Sequence, residues 1–208
     1  VQTCALPIFF YESRTLSTLD IRAIEVVQST PDHRAPIHVH KTDEGTIVFS
    51  SARNARSYLT CKPSLDCSSS GDVAVWKITI GRFGFHDSFL RIGIIGSRNQ
   101  NIYGWSSRSG GGSNNWTGFS EGESLYFRLE RGLLSMFSLQ KHRKFTIAIP
   151  VGTTTTASVS AAVNNAITTN SCSEEYCIYF HIETIGEGQK ASIALESLDR
   201  EEAERVFR

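Results

Sequence analysis

Val73-Ala-Val-Trp-Lys-Ile-Thr-Ile80, Phe89-Leu-Arg-Ile-Gly-Ile-Ile95, Ser124-Leu-Tyr-Phe-Arg-Leu129, Leu133-Leu-Ser-Met-Phe-Ser-Leu139 and Phe145-Thr-Ile-Ala-Ile149 follow one another in the middle of this 208-residue chain. Their apolar residues recur with a period of two, which is the spacing of a strand that buries one face. Trp76, Ile78 and Ile80 share a face, as do Leu90, Ile92 and Ile94, then Leu125, Phe127 and Leu129, then Phe145, Ile147 and Ile149. The residues between them are mostly small or polar. Such alternation predicts antiparallel sheets packed face to face around one core. Burying a large apolar side chain is worth roughly 1.5–3 kcal/mol, so these positions can hold a sandwich without metals or disulfides.

Outward from this stretch the ladder continues. Ile37–His40 and Thr46–Ser50 flank a turn at Thr42-Asp-Glu-Gly45, and Arg56–Thr60 reads as a further short strand. Leu65–Asp72 is rich in Ser and Gly and reads as a loop. Thr155–Val163 and Tyr176–Ile182 alternate like strands across a polar loop at Asn164–Ser173. Ser17–Val27 reads either as a short helix or as a lead-in strand, and Asp32–Pro36 as a loop. From Ser197 the pattern is helical. The expected organisation is therefore a lead-in over 9–36, a β-sandwich over 37–185, and a linker with a short C-terminal helix over 186–208. Residues 1–8, Val1-Gln-Thr-Cys-Ala-Leu-Pro-Ile8, read as an in-frame translation of a sequencing-adapter oligonucleotide and are set aside, and the chain is expected to be a fragment of a longer protein.

Charge excludes some classes of function. The 21 basic and 21 acidic residues balance, leaving no basic stripe for a phosphate backbone, so no nucleic-acid partner is expected. No apolar run approaches the ~20 residues of a membrane-spanning helix, so no membrane insertion is expected. The expected compartment is the cytoplasm.

The residues that carry chemistry are scattered. Cys61, Cys67, Cys172 and Cys177 are spaced more loosely than zinc knuckles; free thiols, disulfides and a metal site all remain open to them. His38 and His40 fall on one face of a strand, half of a metal site, with no third ligand in sight; no metal and no cofactor are expected. His86 and Asp87 fall in a hairpin loop between strands. Glu121 and Glu123 have an i, i+2 phase but precede a strand, and the chain lacks the E-x-D-x-x-E string of sandwich glucanases. There is no G-x-S-x-G and no phosphate loop, so no catalytic residue is assigned and the chain is expected not to be an enzyme. The long segment before Ser124 holds Trp105-Ser-Ser-Arg-Ser-Gly-Gly-Gly-Ser-Asn-Asn-Trp-Thr-Gly118. Aromatic anchors among small polar residues make good contact surfaces. Tyr103, Trp105, Arg108, Asn114, Asn115 and Trp116 are the candidate partner-binding residues.

Several segments, in order, resemble the SPRY or B30.2-like family of the concanavalin A-like group. Trp76–Ile80 resembles its early tryptophan strand, Ile92-Gly-Ile-Ile95 its "IGI" strand and Tyr103-Gly-Trp105 the tyrosine-glycine segment after it. Gly118–Glu130 resembles the stretch written G-D-x-V-x-x-x-L-D, with Glu123 and Glu130 in place of the two aspartates. The family's "N-G" turn before Phe145 reads Gln140-Lys-His-Arg143 here. The resemblance implies a eukaryotic jelly-roll sandwich that binds another protein or peptide through loops without catalysis. A lectin-like carbohydrate-binding domain on the same sandwich is the alternative, with a glycan as partner.

Overall fold

The structure, a computed structural model, describes residues 16–31, 34–43, 46–50, 55–65, 73–82, 88–108, 116–130, 132–150, 175–184 and 191–207. Its strands are β1 (Leu16–Thr18), β2 (Glu25–Ser29), β3 (His38–Lys41), β4 (Thr46–Ser50), β5 (Arg56–Leu65), β6 (Val73–Ile80), β7 (Ser88–Gly96), β8 (Ile102–Ser106), β9 (Ser124–Glu130), β10 (Leu133–Ser138), β11 (Arg143–Ala148), β12 (Tyr176–Thr184) and β13 (Ser192–Glu196). One helix follows, α1 (Arg200–Phe207). The protein is a two-sheet β-sandwich. Eight strands form one sheet in the order β11-β10-β9-β6-β13-β4-β3, with β1 beside β6; β2-β5-β12-β7-β8 form the other. All pairings are antiparallel except that of β1 with β6.

The period-two reading holds where it was strongest. Trp76, Ile78, Ile80, Leu90, Ile92, Ile94, Leu125, Phe127 and Leu129 are all fully buried in one core between the sheets. Trp76 stacks on Phe127, 5.3 Å between centroids and 5° from parallel, across the β6–β9 pairing.

Two segments are defined only by the structure, one by settling an alternative and one against expectation. Ser17–Val27 resolves into β1, a short 3-10 turn at Ile21–Ala23 and β2, with no α-helix. Residues 192–196, in the segment read as a linker, form β13 between β6 and β4. Five residues are too few to display a convincing period, and only two facing strands give them their place. The expected strand at Thr155–Val163 lies outside the described residues, as do the loop at Asn164–Ser173 and most of Leu65–Asp72.

The turn at Gln140–Arg143 is locked by a buried ion pair. Glu123 is fully buried, and Lys141 Nζ lies 2.9 Å from both its oxygens. Ser138 Oγ and the Ser120 amide also donate to this carboxylate, and Lys141 donates to Gly118 O. His142 takes the positive φ of 49° that a glycine would supply in an N-G turn. A carboxylate is tolerated in the interior because its lone pairs are satisfied and a cation faces it.

Candidate functional site

The residues expected to form a partner surface are pulled inward. Trp105 lies within β8, fully buried, with its ring edge-on to Phe127 at 6.0 Å. Trp116 is 3% exposed; its indole donates to Ser106 O at 2.6 Å and its ring meets Phe119 and Phe145 edge-on. Lys141 Nζ sits 4.6 Å from that ring. Tyr103 packs against the core and Tyr176. Only Arg108 is exposed; Asn114 and Asn115 lie outside the described residues. The indoles go inside because two large apolar surfaces gain more from burial than from a wet rim. The physical anchors of a protein-binding rim are thus part of the core.

His38 and His40 are exposed on β3, the edge of the eight-stranded sheet. Cys61 and Cys177 are free and buried, while Cys67 and Cys172 lie outside the described residues. Burial pushes the Cys61 thiol up to about 12, which leaves it protonated and unreactive at neutral pH. His86 and Asp87 also lie outside the described residues.

What the structure assembles instead is the outer face of the five-stranded sheet. Its inward positions feed the core, and its outward positions form rows fixed by register. Ser106, Arg91, His181, Tyr58 and Ser29 make one row; Phe89, Glu183 and Arg56 make the next. The His181 ring is 4.5 Å from Tyr58 and 4.9 Å from Phe89, centroid to centroid, so three rings stand side by side across β5, β12 and β7. Arginines flank them: Arg56 lies 5.8 Å from the Tyr58 centroid and Arg108 lies 5.9 Å from that of Phe89. Guanidinium over a ring face is a favourable pairing that keeps both groups flat.

On the far side of the first row stand Gly104, Gly93, Tyr179, Thr60 and Val27. Gly93 and Gly104 face each other so closely that a Cβ on Gly93 would lie 2.0 Å from Tyr103 O. Arg91 Nη2 donates to Ile102 O at 3.2 Å, four register pairs beyond the Ser106 that faces it. To reach that carbonyl the Arg91 side chain runs along the sheet past the two glycines. The "IGI" and tyrosine-glycine resemblances thus mark a stretch kept free of side chains.

The electrostatics of the face are lopsided. Around the rings, among the described residues, Arg56, Arg91 and Arg108 stand against one carboxylate, Glu183, whose Oε2 lies 3.6 Å from Arg56 Nε and 3.8 Å from His181 Nε2. Neither nitrogen has a hydrogen-bond partner among the described residues. Burial, helped by Arg56 and Arg91 and opposed by Glu183, holds His181 down at about 4, so it is neutral at pH 7. Burial also pushes the Tyr179 phenol up to about 12. Sequence reasoning missed all of these residues. The signal was present as polar and aromatic residues at the outward phase of three strands (Arg56 and Tyr58, Phe89 and Arg91, His181 and Glu183).

Among the described residues no other candidate forms a comparable cluster. A shallow cavity of about 270 Å³ is lined by Ile21, Arg22, Lys41, Thr42, Asp43 and Thr46, none of which belongs to this face. Among the described residues no three His, Cys, Asp or Glu gather into a metal-holding group, and no helix is long and apolar enough to cross a membrane.

The fold is a two-sheet, mostly antiparallel β-sandwich. No family model matches the chain and no curated protein matches it; the SPRY resemblance narrows to the sandwich itself. Among solved structures the chain is similar to alginate lyase A1-II' of polysaccharide lyase family 7, at 11% identity and a TM-score of 0.42, over 76% of this chain and 79% of that one. It is also similar to the family 7 alginate lyase AlgAT5, at 11% identity and a TM-score of 0.41, over 76% and 79% of the two chains. With the tryptophan anchors Trp105 and Trp116 buried in the core, the expectation of a non-catalytic protein-interaction module presented on that loop is corrected.

Proposed function

We propose that this chain binds a glycan bearing carboxylate groups on the outer face of its five-stranded sheet. The observation that carries the reading is the row of rings Tyr58, His181 and Phe89 set among Arg56, Arg91 and Arg108. A flat ring covers the C–H face of a sugar, and a guanidinium fork matches a carboxylate. A neutral glycan would leave most of the positive charge unused; a nucleic acid would demand far more of it.

Calorimetric titration of the chain with an oligouronate and with a neutral glucan oligosaccharide tests this. The expected result is saturable heat with the oligouronate, weakened by salt and lost in the double variant Tyr58→Ala/Phe89→Ala. Absence of binding to either sugar would sink the reading.

One observation favours a second reading on the same face. His181 is uncharged at neutral pH and its ring is partly exposed between Tyr58 and Phe89, so the imidazole can accept a proton. On a bound uronate the acidic proton is that on the carbon beside the carboxylate, and arginine stabilises the developing charge. Its removal forms a carbon–carbon double bond as the neighbouring glycosidic oxygen leaves, taking a proton from water. The assay is the ultraviolet absorbance of the unsaturated uronate product. A signal that survives His181→Ala refutes the role of this residue, and no signal from the unmodified chain refutes the elimination.

A further inference from the structure

We infer that this face has a charged end and an uncharged end: Arg108 takes the carboxylate of the ligand, whereas Arg56 is held by Glu183 and serves to position the Tyr58 ring. The inference rests on the glycan reading above and goes beyond it by giving the ligand a direction across the strands.

The argument begins with who neutralises whom. Arg56 and Glu183 are register partners on β5 and β12, with 3.6 Å between nitrogen and oxygen. A ligand carboxylate brought to Arg56 would meet Glu183 at nearly the same distance, so attraction and repulsion largely cancel. Arg108 has no carboxylate beside it among the described residues, and it is exposed. Arg91 spends one N–H on a neutral carbonyl, Ile102 O, and keeps its charge. Positive potential therefore accumulates on the β7–β8 side and fades toward β5. The rings run the same way, from Phe89 beside Arg108 to Tyr58 beside Arg56.

Glu183 is then a positioning residue. Its carboxylate keeps the Arg56 guanidinium over Tyr58 and prevents that arginine from competing for the anionic group. The Arg56 end presents a ring and polar side chains, which suit the hydroxyls and C–H faces of a sugar residue whose carboxylate points elsewhere.

The test compares an oligouronate with its carboxyl-reduced, neutral counterpart by calorimetry on the full chain. Arg108→Ala is expected to weaken the oligouronate about tenfold while leaving the neutral sugar unchanged. Arg56→Ala is expected to weaken both by the same factor, through the loosened ring. Glu183→Gln is expected to tighten the oligouronate alone, because it frees the charge on Arg56. All three side chains reach solvent in part, and circular dichroism of each variant checks that the sandwich is intact. A selective loss of the oligouronate in Arg56→Ala, no loss in Arg108→Ala, or equal affinity of the unmodified chain for the two sugars would overturn the polarity. Failure of the unmodified chain to bind either sugar would instead overturn the glycan reading itself.

Discussion

The two sheets have the same inner faces and opposite outer ones. Outside the eight-stranded sheet, Val73, Val75 and Tyr126 are buried under α1, with Leu198 and Ala203 completing a small second core and Phe137, Val206 and Phe207 packed around it. Tyr126 donates to Glu202 on the helix, and Arg128 lies over Phe207. Outside the five-stranded sheet, the partly exposed aromatic positions are Tyr58, Phe89 and His181, and their neighbours are arginines. An aromatic on an outer face is closed off when apolar neighbours recruit a cover. It stays available to a ligand when guanidiniums hold it flat and keep it wet. The difference lies in which outward positions are aliphatic, since both faces are built from the same alternation.

The contrast can be broken at several places, and the core common to both faces carries the largest effects. Trp76→Ala and Trp116→Ala are each expected to cost about 3–5 kcal/mol in urea unfolding, because both rings are buried. A Trp116 variant as stable as the unmodified chain would return that ring to the surface. Glu123→Ala is expected to cost about 3 kcal/mol, since it strands Lys141 against a desolvated turn; a loss below the error of the measurement would show that the pair is dispensable.

Ala203→Asp places a charge in the apolar seam under α1 and is expected to cost about 2 kcal/mol. Oligouronate binding on the opposite face should be unchanged, and a change would mean that the two faces are coupled. The fourth effect is one of pH. The folded state holds His181 near 4, below its ordinary 6.5, so the unfolded chain binds the proton more readily. Stability from this group is complete above pH 6.5 and falls as pH drops toward 4, by about 2 kcal/mol. His181→Gln should flatten that part of the stability curve, and an unaltered slope would assign it to other groups. The smallest effect is expected at the exposed pair Arg200–Glu204 on α1, where Arg200→Ala should cost about 0.5 kcal/mol or less.

Sequence reading succeeded where a single strand carries its own evidence. Trp76 through Ile80 announces its buried face by spacing alone, and Leu90, Ile92 and Ile94 do the same. It failed where evidence is shared between strands. Residues 192–196 were invisible as β13 because their place depends on β6 and β4. Trp105 and Trp116 looked like loop anchors because Ser, Gly and Asn surround them, yet nothing in that stretch reveals that the core has room for two indoles. A ring among glycines reads the same whether it faces water or folds back. The elements that first suggested a rim are those the structure uses to finish the interior.

The amino-acid order by itself determined that this protein is a two-layer sandwich, because alternation along a strand is a local property written every second residue. Only the tertiary structure decided which side chains meet across strands. Arg56, Tyr58, Phe89, Arg91, His181 and Glu183 lie as far apart as 127 positions in the chain, and pairing of β5, β12 and β7 in one register makes them neighbours. A shift of a single residue would turn each of them to the other side of the sheet, so the face exists only once the hydrogen-bond ladder has set that register.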